Sequence, residues 1–338
     1  MLARITKIVH KASGNTLETP LLVPSFSSKG FSRDPNGKSE INAGLKYASE
    51  FIQQTCLISA YDIYYKNISD PKKLPLNLDV IFLDSGGYEV SWDNDYSAAV
   101  QAIPNKGPWS LAKYESVLNN WPKSKPAILV SYDNPNERKK LKDQINNARK
   151  LFRPYGDQLH LFLLKPEKKN ENTVNDVLKK VLLDIGELVP FDIIGITEKE
   201  LGESILDRMK NIRKLRDEMD RAGLTKPIHV FGALDPLTVC LYFIAGAEIF
   251  DGLTWIRYAY HNGQCVYTQN HSAENFGLYT KDHEVQPRIM KDNIYALVRL
   301  EHKMREYVAT QDITKLVPHD GLIRQAIDSL KTALKGGA

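Results

Sequence analysis

Hydrophobic positions along this chain fall into short unbroken runs, separated by stretches of helical periodicity. The runs are "PLLVPSF" (20–26), "TCLISAY" (55–61), "DVIFLDS" (79–85) and "PAILVSYD" (126–133), then "LHLFLL" (159–164), "FDIIGIT" (191–197), "PIHVFG" (227–232) and "AEIFDGL" (247–253). They are rich in β-branched residues and continuous rather than alternating. That is the pattern of strands buried on both faces of a parallel sheet.

Helices are predicted between them. Residues 134–152 open with Asn134 as a cap and Pro135 in the first turn. Residues 172–188 and 204–223 carry apolar residues at helical spacing, the second ending on Gly223 where a helix C-cap wants glycine. Residues 235–246 open with Asp235-Pro236 and close on Gly246. Eight strands alternating with helices predict an α/β fold, a (β/α)8 TIM barrel. Residues 85–125, with Trp92 and Trp109, read as an insertion after strand 3. Residues 287–335 read as extra C-terminal helices. With no repeat, low-complexity tract or linker, residues 1–338 are expected to form a single domain.

Composition narrows the class. Of 338 residues, 42% are hydrophobic and 25% charged, which suits a soluble globular protein with a sizeable core. No apolar run approaches the ~18 residues of a membrane span, and "MLARITKIVHKASGN" lacks a signal-peptide apolar region. A cytoplasmic protein with no membrane partner is expected. The three cysteines, Cys56, Cys240 and Cys265, are far apart and form neither a disulfide framework nor a cysteine-rich zinc site. A net charge of +4 permits a polyanionic partner without identifying one. The basic stretches 137–150 and 163–170 are ordinary as a solvated helix face and loop.

Barrel active sites lie at the C-terminal ends of the strands. Here the third strand ends in Asp84, the fourth in Asp133, and the eighth contains Asp251. One such aspartate is ordinarily a turn or cap residue, and Asp133, just before Asn134-Pro135, is placed to be one. Three from three strands, converging on one mouth, point to chemistry. Gly86 and Gly87 precede Tyr88, and Phe231 precedes Gly232. Either the glycines serve tight turns, or two aromatics beside bare backbone form a slot for a planar heterocycle. Stacking of a base on an aromatic is worth ~1–3 kcal/mol.

Three stretches carry a family resemblance. "LDSGGYEV" (83–90) resembles the D-S-G-G-[FY]-Q-V motif of the tRNA-guanine transglycosylases. "HVFGALDPLTVCLYFIAGAEIFDGLTWIRYAYHNG" (229–263) is similar to their glycine-containing strand, helix, F-D strand, arginine and N-G. "ILVSYDNP" (128–135) resembles their fourth-strand aspartate motif. The likeness runs in order over most of residues 15–300. It implies that Asp251 is the nucleophile that attacks the ribose C1′ and holds the sugar covalently, with retention at C1′. It implies that Asp84 is the general acid/base. Asp133 reads the donor edge of guanine, and Tyr88 and Phe231 stack on the base. Ser85, Gly195 and Gly232 contact the base, and Arg257 meets phosphate. Asp84, buried near another carboxylate, is expected to have a raised pKa.

The chain also departs from that family. Its members carry a structural zinc held by C-x-C-x-x-C and a histidine. This chain has no cysteine after Cys265, and Asp292 stands where the histidine should be. No zinc or other cofactor is therefore expected, and the subdomain that in the family grips tRNA and forms dimers is lost. Glu89 and Lys165 stand where glutamines are expected among the base-binding positions. Either the pocket prefers a different 7-substituent, or Glu89 and Lys165 pair with each other. These losses point to a divergent branch that inserts 7-deazaguanines such as preQ0 into DNA, with tRNA as the alternative acceptor. A duplex guanine must be flipped out, costing a few kcal/mol. Trp92 and Trp109 are candidates for a wedge or lid, or simply pack the insertion on the barrel. A non-catalytic partner subunit and a glycosidase that only releases guanine are further alternatives. An accessory protein that loads or opens the nucleic acid is compatible with each.

Overall fold

A computed structural model of the chain describes residues 3–33, 39–74, 78–91, 108–167, 178–179, 181, 184–316 and 318–335. A short antiparallel ribbon, β1 (Lys7–Val9) and β2 (Thr16–Glu18), comes first. The barrel follows: β3 (Leu21–Phe26), β4 (Thr55–Ser59), β5 (Val80–Asp84), β6 (Ala127–Val130), β7 (Leu159–Leu164), β8 (Ile193–Thr197), β9 (Ile228–Phe231) and β10 (Ile249–Gly252). Neighbours pair in parallel and β10 closes onto β3, so the eight strands form a closed (β/α)8 barrel ringed by helices. A second ribbon, β11 (Ala259–His261) and β12 (Gln264–Val266), leads to the C-terminal helices.

Both faces of the barrel strands are buried, which is why their runs are continuous. Outward residues such as Leu22, Ile58, Leu83 and Leu129 pack under the helices. Inward residues Leu21, Val23, Leu57, Val80, Phe82, Ile128, Val130, Leu161, Leu163, Ile193 and Ile249 fill the interior. Ile8 and Leu17 of the first ribbon join this interior cluster. Side chains on a strand repeat every two residues. The inward line through Val80 and Phe82 therefore continues to Asp84, that through Val23 to Ser25, and that through Ile249 to Asp251. Sequence order alone turns the apolar interior into a polar layer at the mouth.

Two predicted helices form with their caps. Ser204 caps Ile205–Arg221, its hydroxyl accepting from the Asp207 N–H, and Gly223 follows at φ +72°. Asp235 caps Pro236–Ala245 through the N–H groups of Leu237 and Thr238, and Gly246 ends the helix at φ +114°. The helix expected over 134–152 instead spans Leu141–Phe152. Asn134 makes a turn, its Oδ1 accepting from the Asn136 N–H and its carbonyl from the Glu137 N–H. Residues 172–188 lie largely outside the described residues, which include a 3₁₀ turn at Ile185–Leu188.

The C-terminal helices are Asp282–Thr310 and Asp320–Lys335. The first begins ahead of Pro287, with Asp282 and Glu284 in its first turn where acidic groups complement the helix dipole. Of the two insertion tryptophans, Trp92 lies outside the described residues. Trp109 is 4% exposed, donates its indole N–H to the Ser85 carbonyl at 2.8 Å, and packs against Tyr61. It is a buried anchor and has no freedom to act as a wedge. Among the described residues no helix is long and apolar enough to cross a membrane.

Candidate active site

Asp251 projects into the mouth from β10 and is 5% exposed. Its Oδ2 accepts the Ser25 hydroxyl at 2.7 Å. Its Oδ1 lies 2.9 Å from His229 Nε2 and accepts the Gly232 N–H at 3.4 Å. Gly232 adopts φ +84°, which glycine allows without cost. Among the described residues nothing beyond its chain neighbours lies within 4 Å of where a Cβ would sit.

Asp84 ends β5, and its Oδ2 accepts the Gly86 N–H at 3.0 Å. Burial pushes its pKa up to about 6, the Gly86 hydrogen bond opposes this, and the charges of Asp251 and Asp133 add to the rise. The expected raised pKa is thus present. Of the two readings of the flanking glycines, the positive φ at Gly86 fits the tight turn. Gly86 sits at φ +86°, and a Cβ there would meet Tyr61 Cβ at 2.8 Å and Trp109 Nε1 at 3.0 Å. One at Gly87 would come within 2.9 Å of the Asp133 carboxylate and carbonyl oxygens. These glycines admit neighbouring side chains and the next loop; they are not a bare platform for a ring.

The two aromatics are held separately. Tyr88 has the Lys29 ammonium 4.5 Å from its ring centroid, a cation–π contact. Its hydroxyl accepts from Arg257 Nη2 at 3.1 Å. Arg257 therefore joins the loop after β10 to the loop after β5. Phe231 is an interior residue: its ring stacks on the His229 imidazole with centroids 3.9 Å apart. It also fills the space over Gly195, where a Cβ would meet Phe231 Cε2 at 2.7 Å. One face of Phe231 is therefore occupied by His229.

Across the mouth, four charged side chains form a closed ring. Arg138 bonds Asp133 at 2.9 Å and Glu200 at 2.9 Å; Lys165 lies 3.0 Å from Glu200 and 3.3 Å from Asp133. Lys165 also donates to the Thr197 hydroxyl at 2.6 Å. Burial alone would raise the Glu200 pKa, but Lys165 and Arg138 outweigh it and hold the carboxyl below its ordinary value. Ser85 Oγ accepts the Asp133 N–H at 3.3 Å and so ties the third strand's loop to the fourth's.

Lys165 and Glu89 do not pair with each other. Lys165 is engaged in the ring, whereas Glu89 accepts the Ser27 hydroxyl at 2.5 Å. Burial, with Asp62 and Asp84 nearby, pushes the Glu89 pKa up to about 8. Its neutral form offers one acceptor and one O–H donor, as a primary amide offers both an acceptor and donors.

Sequence reasoning missed Ser25, His229, Arg138, Glu200 and Lys29. His229 carried a usable signal: a histidine in the apolar run "PIHVFG", on the same strand face as Phe231. Arg138 and Glu200 carried none, because each looks like a surface residue after its strand. Among the described residues, no group of three or more His, Cys, Asp or Glu side chains is arranged to hold a metal ion. Cys265, on β12, lies against Asp235 instead, and burial with that carboxylate pushes its thiol pKa up. A scan against known family models finds no match to this chain, and a search of curated proteins finds none.

Proposed function

We propose that this chain is a guanine transglycosylase, a pentosyltransferase that exchanges guanine in a nucleic acid for a 7-deazaguanine through an ester on Asp251. The observation that carries this reading is the pair Asp84 and Asp251. Both are buried in one mouth, yet their surroundings differ. Asp251 is held by three hydrogen-bond partners, the Ser25 hydroxyl, His229 Nε2 and the Gly232 N–H. Asp84 is poised near pH 6 by burial, where it can give and take a proton. Two carboxyls in contrasting environments are the usual sign of an acid/base and a nucleophile working together.

In this scheme an Asp251 oxygen attacks C1′ as the glycosidic bond breaks, and Asp84 protonates the departing guanine. The incoming base loses its proton to Asp84 and attacks C1′, displacing the Asp251 ester with net retention. Asp133, held rigid by Arg138 and Lys165, keeps lone pairs to accept the N1–H and amino donors of guanine. Glu89, neutral, supplies glutamine-like donor and acceptor groups. DNA is favoured as acceptor because the chain has no cysteine after Cys265 and carries Asp292 at the expected histidine position, so the family's tRNA-gripping zinc subdomain is not encoded. tRNA remains the second acceptor to test.

The test is exchange of labelled guanine into duplex DNA and into tRNA, with Asp251→Ala as control. Label entering DNA with the wild type and not with the variant supports the reading. Entry into tRNA alone moves the acceptor to RNA. Release of guanine without uptake identifies a glycosidase. No release and no exchange in either nucleic acid rejects the transglycosylase.

A further inference from the structure

His229 is a buried ionisable side chain to which the reaction scheme assigns no task. It is 0% exposed, in mid-strand on β9. Its ring is stacked face to face on Phe231, and lies 5.3 Å from Phe82 in an edge contact. Packing so fixes the plane of the imidazole. Nε2 lies 2.9 Å from Asp251 Oδ1, while Nδ1 is buried with no hydrogen-bond partner. A neutral imidazole has one N–H and one bare nitrogen. Among the described residues only Nε2 faces an acceptor, so the N–H is assigned to Nε2.

The consequence falls on the two oxygens of Asp251. Oδ1 is held by two donors fixed to β9 and its loop, His229 Nε2–H and the Gly232 N–H. Among the described residues Oδ2 is held by the Ser25 hydroxyl alone, a rotor that can turn aside. We infer that His229 is a positioning residue: it clamps Oδ1, so that Oδ2 is the oxygen that attacks the sugar. This rests on the transglycosylase reading above.

Oδ2 gives its pair to C1′, and the C1′–N bond breaks with its pair leaving on the base, which takes the Asp84 proton. Oδ1 becomes the ester carbonyl oxygen and still accepts the His229 N–H. In the return step a ring nitrogen of the new base attacks C1′, the C1′–Oδ2 pair returns to Asp251, and the displaced ring proton goes to Asp84. No proton enters or leaves His229. Without the clamp, the carboxylate turns about Cβ–Cγ and loses its attacking orientation.

Glutamine and methionine at this position have nearly the same shape, and only glutamine can donate. The experiment compares His229→Gln with His229→Met in labelled-guanine exchange into duplex DNA and tRNA, alongside wild type and Asp251→Ala, with thermal melts of each. The expected result is that Gln stays within ~10-fold of wild type. Met falls ~100-fold in kcat with KM for the nucleic acid little changed, as when one preorganised donor is lost. The two variants should melt at similar temperatures. Equal activity of Gln and Met, whether both active or both impaired, overturns the positioning role while wild-type exchange keeps the transglycosylase. Absence of wild-type exchange overturns both.

Discussion

Glu301 Oε1, on the helix Asp282–Thr310, accepts the backbone N–H of Leu22 at 2.7 Å. A C-terminal helix is thus bonded to the first barrel strand, next to the seam where β10 closes on β3. Burial raises the Glu301 pKa to about 7, against the opposing Leu22 hydrogen bond and Arg305 charge. The folded state therefore keeps a proton that the unfolded chain has already released. Its penalty is absent below about pH 4.5, grows through the interval up to about 7, and is complete above it. Glu301→Gln keeps the acceptor and removes the titration. It should stabilise the protein at pH 8 by roughly 2–3 kcal/mol relative to wild type, with little gain at pH 4.5. Denaturant melts of both proteins across that range measure the difference; parallel pH slopes would contradict the assignment.

Asp84 carries the same sign of linkage with an opposite functional effect. With a pKa of about 6, its ionisation costs folding stability that is lost as pH rises from about 4 through 6. Asp84→Asn should therefore melt higher than wild type at pH 8, by about 2 kcal/mol. On the proposed transglycosylase mechanism, its exchange activity should fall by ~10²–10⁴-fold. A variant that is both less stable and fully active would refute the role.

Gly86 and Gly232 separate conformation from space. Both lie near φ +85°, but only Gly86 is crowded, by Tyr61 and Trp109. Gly232→Ala should cost ~1–2 kcal/mol, the strain of a left-handed residue. Gly86→Ala adds an overlap on top and should cost ~3 kcal/mol or more. Urea unfolding of the two variants compares them directly, and equal losses would show that the space around Gly86 yields.

What the sequence determined by itself is the barrel and its polar layer. Runs such as "VIFLD" are apolar throughout because both faces of each strand are covered, so the strands stand out without an alternating pattern. Period-two geometry then carries Asp84 and Asp251 inward on the lines of Phe82 and Ile249. What only the tertiary structure decided is which polar groups meet. Lys165 joins Asp133 and Glu200 rather than Glu89, because β6, β7 and β8 are neighbours and Arg138 returns through the turn at Asn134. His229 reaches Asp251 because β9 and β10 pair in parallel with both side chains pointing inward. Phe231 folds over Gly195 because the neighbouring strand offers no side chain there. Such contacts depend on strand register and barrel closure, which bring together residues far apart in the chain, so the local pattern of neither names its partner.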